Sequence, residues 1–412
     1  MKRCRWRWSS VLNDELIVRV AARGDGVTAS GRHVAGAAPG DTIAPDGAVI
    51  PGPHHATPPC PHFGSCGGCS LQHLDDEALA DFVRERVTGP LIAKGITIGE
   101  VRPVHLSPPR SRRRASLRYT RMKSAATLGF AGQGSHDLVN IRSCEIVAPR
   151  LFDVMTAVRG LVAKWPKPKL SGQVELAEID QGIDVLITGL APSSVAEHEM
   201  LSAFAETQGL ARLSIDQGYG PETQYEPVPV TVSFGDVAVR FPHASFLQAT
   251  TDGEAALAVA AREALAGARM VADLFAGLGS FAFHLSEPGR KLYAAEAARD
   301  PVLALTQAAN ARQLPVFAEH RDLFRNPLQA YMLSRFDGLV LDPPRAGAEA
   351  QIAAIAASSL KRLCYVSCNP ATFARDARTL CDAGFELKTV WPVGQFRWST
   401  HVELASEFVR AG

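Results

Sequence analysis

No stretch of this chain of 412 residues reaches the roughly 18 consecutive apolar residues that a membrane-spanning helix needs. The basic N-terminus is not followed by the apolar run of a secretory signal. Neither a membrane partner nor export is therefore expected. Charge of one sign is also missing: 43 Lys and Arg stand against 42 Asp and Glu, a formal net charge of +1. No global field draws in a polyanion, so such a partner would have to be held by local clusters. No internal repeat or extended low-complexity tract breaks the pattern. The 46% hydrophobic content can fill two or three domain cores.

In the C-terminal part, a short apolar run at 270–273 opens into Asp273-Leu274-Phe275-Ala276-Gly277-Leu278-Gly279-Ser280-Phe281 and an amphipathic stretch through Leu285. That is a strand, a glycine loop and a helix, and glycines at such a junction let the backbone approach a ligand. A second apolar strand at 292–295 ends in Glu296, roughly 20 residues after Asp273, where an acidic side chain can hold ribose hydroxyls. The third glycine of Gly-x-Gly-x-x-Gly is absent, with Ala282 in its place. Alanine is tolerated there, so a dinucleotide and S-adenosylmethionine both remain open, the methyl donor being favoured.

Further buried strands are predicted at 338–341, ended by Asp342-Pro343-Pro344-Arg345, and at 363–367, ended by Cys368-Asn369-Pro370. Helical stretches at 351–360 and 372–383 alternate with them, which describes an open, mostly parallel sheet. Ligands bind at the carboxyl ends of such strands, so Glu296, Asp342 and Cys368 are expected to face one crevice. A strand-end cysteine is most often a small buried hydrophobe, and Cys364 and Cys381 keep that reading. A thiol inside a methyl-donor site, by contrast, implies covalent catalysis.

Three of the eight cysteines fall in Cys60-Pro61-His62-Phe63-Gly64-Ser65-Cys66-Gly67-Gly68-Cys69, a spacing that lets a loop wrap a metal or a cluster once a fourth thiolate closes the set. The segment 109–123 carries Arg110, Arg112, Arg113, Arg114, Arg118, Arg121 and Lys123 around Tyr119. Such a cluster can neutralise phosphates while an aromatic ring stacks on a base; a solvated strand face is the alternative. Arg3, Arg5, Trp6, Arg7 and Trp8 form a smaller basic aromatic tail, expected to be a frayed end. Short strands and turns fill 15–43, with room for three or four strands before the proline-rich link at 51–61. The segment 71–94 reads as a helix with an apolar stripe of Leu74, Leu79, Phe82 and Val83, and strand-like runs dominate 115–234, with a hairpin at Asp180-Gln181-Gly182.

Asp273-Leu274-Phe275-x-Gly277-x-Gly279, Asp342-Pro343-Pro344-Arg345, the run from Ser367-Cys368-Asn369-Pro370 to Ala374-Arg375-Asp376, the terminal His401-Val402-Glu403 and Phe246-Leu247-Gln248 together resemble the RNA uracil-5-methyltransferases. The resemblance covers nearly the whole chain. It implies an α/β fold with a Rossmann-like class I methyltransferase domain at 241–412, a β-rich central domain with iron-sulfur cysteines at 59–240, and a short TRAM/OB-like β-domain at 1–58. It implies methylation of uridine carbon 5 by S-adenosylmethionine, with Cys368 adding to carbon 6 and Glu403 as the base. Cofactor contacts carry over to Gln248, Phe275, Ser280, Glu296, Asp322 and Asp342. Cys144 becomes the fourth thiolate beside Cys60, Cys66 and Cys69, around a 4Fe-4S cluster; zinc or unliganded thiols are the alternatives. The implied partner is RNA, 23S rRNA before tRNA, and the implied setting is a monomer in a reducing cytoplasm. Cytosine methylation would want a cysteine beside the proline at 342–344, and none is there; a non-catalytic iron-sulfur RNA-binding module is the other class of reading. Where relatives often show Phe-Pro-His-Thr before the last motif, this chain has Phe396-Arg397-Trp398-Ser399, and Gln248-Ala249-Thr250 replaces Gln-x-Asn.

Overall fold

The computed structural model describes residues 14–123 and 125–410; the tail bearing Arg3, Arg5, Trp6, Arg7 and Trp8 lies outside the described residues. The C-terminal half is built on a nine-stranded sheet. Its order is Val316–His320, Lys291–Glu296, Met270–Leu274, Gly338–Leu341, Arg362–Ser367, Glu403–Arg410, Phe385–Gly394 and Ile98–Val101, with His105–Leu106 also running along Phe385–Gly394. The first five are mutually parallel, and Glu403–Arg410 is antiparallel to both of its neighbours. Alternation of side chains along each strand divides the core in two. Ala272, Leu274, Leu339, Leu341, Leu363 and Tyr365 pack on one face, while Val271, Val340, Cys364 and Val366 pack on the other. Helices cover both faces, so these central strands read as continuous apolar runs in the sequence.

Residues 76–106, expected within the central 59–240 segment, pack and pair with the C-terminal sheet. The helix Asp76–Ala93 packs its stripe of Leu79, Phe82, Val83 and Val87 into the same core as Leu387 and Val390, and Ile98–Val101 extends the nine-stranded sheet by pairing with Phe385–Gly394. The pairing is non-local, so nothing in the segment's own pattern announces it.

The central unit is a seven-stranded sheet in the order Leu138–Asn140, Ala125–Ala131, Arg114–Met122, Lys169–Ile179, Gly182–Thr188, Arg212–Asp216, Pro221–Tyr225. The hairpin at 180–182 is present, with Ile179 opposite Gly182. Two helices interrupt the expected run of strands, Pro149–Lys164 and Val195–Gln208. The first buries Leu151, Val154, Met155, Val158, Leu161 and Val162, a helical period that outweighs the β-propensity of its valines. The second is held by a capping box between Ser194 and Glu197 and stopped by Gly209 in the left-handed conformation.

Among the described residues the N-terminal part forms five short strands where three or four were expected, in the order His33–Val34, Gly26–Thr28, Glu15–Val20, Thr42–Ile43, Val49–Ile50. Asp41, fully buried, organises them: its carboxylate accepts from the Ala38 and Gly52 amides, each at 2.7 Å, and pairs with His55. Among the described residues no helix is long and apolar enough to cross a membrane.

Candidate active site

The parallel strands all deliver their carboxyl ends to one edge. Leu274 lies beside Ala295 and Leu341, and Leu341 beside Tyr365, so Phe275, Glu296, Asp342 and Cys368 leave the sheet on the same side. The antiparallel strand starts where the others end: Ser367 is paired with Leu404, which sets Glu403 next to the Cys368 turn. Topology thus joins the expected nucleophile and base.

The first turn carries backbone strain. Phe275 has φ 64°, in the left-handed region that costs a non-glycine residue about 1–3 kcal/mol, and its ring packs on Phe324 at 5.3 Å. Gly279 has φ 87°, and a Cβ there would stand 2.8 Å from Leu305, so glycine is required. Ser280 opens the short helix that follows. The Glu296 carboxylate accepts from the Gly277 amide at 3.0 Å and the Ala298 amide at 2.7 Å, which braces the glycine loop and leaves lone pairs for a ligand hydroxyl. Asp322 is placed less directly. Its carboxylate accepts from the Phe324 and Arg325 amides, shaping the loop that brings Phe324 onto Phe275, and that loop is tied to the Glu296 carbonyl by the Arg321 amide at 2.8 Å.

Gln248 is buried, with its amide nitrogen 3.4 Å from the Asp342 carboxyl and its oxygen accepting from Gln395 at 2.8 Å. Arg113 fixes this segment. Its guanidinium donates to the Gln248 carbonyl at 3.1 Å and to the buried Glu254 carboxylate at 2.6 Å. Neither Arg113 nor Gln395 was singled out as a site residue in the sequence; both act through backbone contacts more than 130 positions away.

Three carboxyls converge here. Burial pushes Asp273 up to about 7, although the Ala282 amide donates to it. Asp342 is held well above the usual carboxylate range by burial, then by Glu403 and Asp273. Glu403 is 5% exposed. Burial raises it to about 7 against the pull of Arg114, and one of its oxygens has no hydrogen-bond partner. Such a group can take up a proton near neutrality. The half-buried Cys368 thiol is raised by burial and by Glu403 and Asp342, and lowered by Arg345. The resting form is the thiol. A positive charge in the crevice would favour both the carboxylates and the thiolate. Asn369 caps the helix Pro370–Asp382 through the Ala371 amide and donates to the Arg345 carbonyl at 3.0 Å, so the thiol and Arg345 share one brace.

Most of the guanidinium groups of segment 109–123 are engaged by the protein itself, although only Arg113 is buried and Arg110, Arg118 and Lys123 are exposed. Tyr119 is buried and its hydroxyl donates to the Thr188 carbonyl at 2.7 Å, which corrects its expected role as a stacking platform. Arg110 pairs with Glu145, and Arg121 donates to the Trp165 and Lys167 carbonyls. Arg112 and Arg114 are the two that line an open cavity of about 320 Å³, with Glu175 and Phe246. Phe246 is exposed, and the Arg114 guanidinium lies over its ring at 4.5 Å.

Cys60, Cys66, Cys69 and Cys144 line one cavity of about 240 Å³. Burial raises the Cys66, Cys69 and Cys144 thiols, Cys69 to about 12, and each is raised further by its neighbouring thiols. Thiols crowded in this way ionise together only around a compensating cationic group. Among the described residues no three His, Cys, Asp or Glu side chains are gathered to hold a metal ion.

Residues 224–408 match the family described as tRNA (uracil-5-)-methyltransferase. An uncharacterized RNA methyltransferase of Zymomonas mobilis is 47% identical over 96% of this chain and 99% of its own length. The 23S rRNA (uracil(1939)-C(5))-methyltransferase RlmD of Chromohalobacter salexigens is 32% identical over 85% of this chain and 76% of its own. The Pyrococcus abyssi tRNA (uracil-54, C5)-methyltransferase, solved with S-adenosyl-L-homocysteine, superposes with a TM-score of 0.72 at 19% identity, over 96% of this chain and all of that one. The fold is that of the class I S-adenosylmethionine-dependent methyltransferases, and the chain belongs to the RNA uracil-5-methyltransferase family.

Proposed function

We propose that this enzyme methylates carbon 5 of a uridine in 23S rRNA, using S-adenosylmethionine as donor and a transient bond from Cys368 to carbon 6. The observation that carries the reading is the juxtaposition of Cys368 and Glu403 by the Ser367–Leu404 pairing, with the buried, acidic crevice of Asp273, Asp342 and Glu403 beside them. When bound, S-adenosylmethionine supplies an electrophilic methyl group and a positive charge; Glu296, Ser280, Phe275 and Gln248 are the residues to hold it, with Asp322 shaping the adjoining loop.

Once its proton has passed to solvent, the Cys368 thiolate attacks carbon 6, and the π pair of the carbon 5–carbon 6 bond makes carbon 5 nucleophilic enough to take the methyl group, the donor's sulfur leaving with the methyl–sulfur pair as a neutral thioether. The Glu403 carboxylate then accepts the carbon 5 proton. The C–H electrons restore the double bond, the carbon 6–sulfur bond breaks, and the thiolate leaves with its electron pair. Arg345 favours that thiolate. Ribosomal RNA is preferred over tRNA because the four-thiol cavity accompanies a 32% identity to an enzyme named for 23S rRNA. Cys60, Cys66, Cys69 and Cys144 would hold a 4Fe-4S cluster there, cross-linking the 60–69 loop to the central sheet. A cytoplasmic monomer suits these thiols.

The test is trapping. RNA with 5-fluorouridine at the target position cannot lose a proton from carbon 5, so a denaturation-resistant adduct should form with the wild-type protein and S-adenosylmethionine, and none with Cys368→Ala. An adduct that persists in Cys368→Ala sinks the assignment. Ribosomal and transfer RNA transcripts, compared as substrates, decide between the two RNA classes.

A further inference from the structure

The loop that leads into Glu403 is fastened to the end of the cysteine loop. Trp398 has φ 57° and is 7% exposed. A tryptophan is rarely left-handed, and such a conformation persists only where the surroundings over-determine it. Here its carbonyl accepts two amides at once, from Ser70 at 2.8 Å and Leu71 at 3.0 Å, the two residues directly after Cys69. Its side chain packs in one core with Leu71 and Leu74. The Arg397 guanidinium lies over the Trp398 ring at 4.8 Å, donates to the Ser107 carbonyl and pairs with Asp76. The other end of the cysteine loop is tied back, since the Cys60 amide donates to the buried Gln72 side chain at 3.1 Å. On the far side of the thiol cavity Arg112 reaches over the Phe396 ring at 5.7 Å.

We propose that Trp398 is a positioning residue that couples the cysteine loop to Glu403, so that closure of the four-thiol site sets where the base stands. The coupling runs through a short path: Cys69, the Ser70 and Leu71 amides, the Trp398 carbonyl, and the five residues to Glu403. It rests on the reading of Glu403 as base. The step that depends on it is release, in which the carbon 5 proton passes to Glu403 and the carbon 6–sulfur bond breaks. Attack by Cys368, on its own turn after Ser367, meets this loop only through His401, whose ring nitrogen lies 3.0 Å from the Arg345 guanidinium.

Single-turnover reactions with methyl-labelled S-adenosylmethionine separate the two steps, by comparing label in the denaturation-resistant RNA–protein adduct with label in free RNA. Glu403→Gln is the reference and should accumulate labelled adduct. Trp398→Ala, and Trp398→Phe as the milder variant, should slow release at least tenfold while adduct formation changes less than twofold, an imbalance that general loss of structure does not produce. In Cys66→Ser, amide hydrogen exchange of the 395–402 segment should rise, a readout independent of turnover. If Glu403→Gln accumulates adduct but both Trp398 variants lose all steps equally, or exchange at 395–402 is unmoved in Cys66→Ser, the coupling is wrong. If Glu403→Gln itself accumulates none, the base assignment fails first.

Discussion

Glu403→Gln should inactivate the enzyme and, above neutrality, make it more stable. The carboxyl is buried and raised to about 7 from an ordinary 4.5, and each pH unit of such a difference is worth about 1.4 kcal/mol. Below the lower value both folded and unfolded chains carry the proton, and no penalty exists. Between the two values the folded state holds a proton that the unfolded state has released, so stability falls as pH rises; above the upper value the loss levels off at about 3 kcal/mol. The amide keeps the volume and has no charge to bury. It also relieves Asp342, which Glu403 pushes up. Denaturant melts of both proteins at about pH 5 and about pH 8 measure the effect as a difference of differences, which cancels any pH-independent cost of the amide. The variant should gain about 2.5 kcal/mol on the wild type across that range, part of the plateau loss being already present at pH 5, or roughly 5–10 °C in melting temperature for a cooperative unit of this size. A gap that stays constant with pH, or moves the other way, would refute the placement of a buried, unpaired carboxyl.

Two more outcomes follow from the same geometry. Arg113→Ala leaves the Glu254 carboxylate buried without its partner at 2.6 Å and should cost about 3–5 kcal/mol in denaturant melts; because Arg113 also holds the Gln248 carbonyl, donor affinity measured by calorimetry should fall with it. Anaerobically purified protein should contain iron and acid-labile sulfide and show charge-transfer absorption in the visible, and Cys144→Ser should lose most of all three, whereas zinc in their place would overturn the cluster.

The crevice was legible in the sequence because a parallel sheet exposes its chemistry at strand ends. The runs before Phe275, Glu296, Asp342 and Cys368 carry alternating apolar residues on both faces, and each stops at a polar or glycine turn. The motifs named Cys368 and Glu403 as a pair by resemblance alone. Local pattern did not reveal what depends on distant pairing. Residues 76–106 read as part of the central unit, since the affinity of Ile98–Val101 for an edge left open by Phe385–Gly394 has no local signature. Arg113 looked like one of seven basic residues free for phosphate; only the fold brings Glu254 against it. Tyr119 looked like a stacking ring because an alternating strand does not say which face is inside.

From the order of its residues alone, then, this chain specifies a parallel sheet with a ligand-binding glycine loop, a thiol at a strand end and a loop of closely spaced cysteines, since each is set by short-range periodicity and turn chemistry; the methyl donor came from the family resemblance. Tertiary structure decided the rest. An antiparallel strand entering beside Ser367 brings Glu403 to Cys368, burial moves that carboxyl up to about 7, and two amides after Cys69 reach the Trp398 carbonyl. These depend on which surfaces are excluded from water and which distant segments meet, and only the packed chain specifies either.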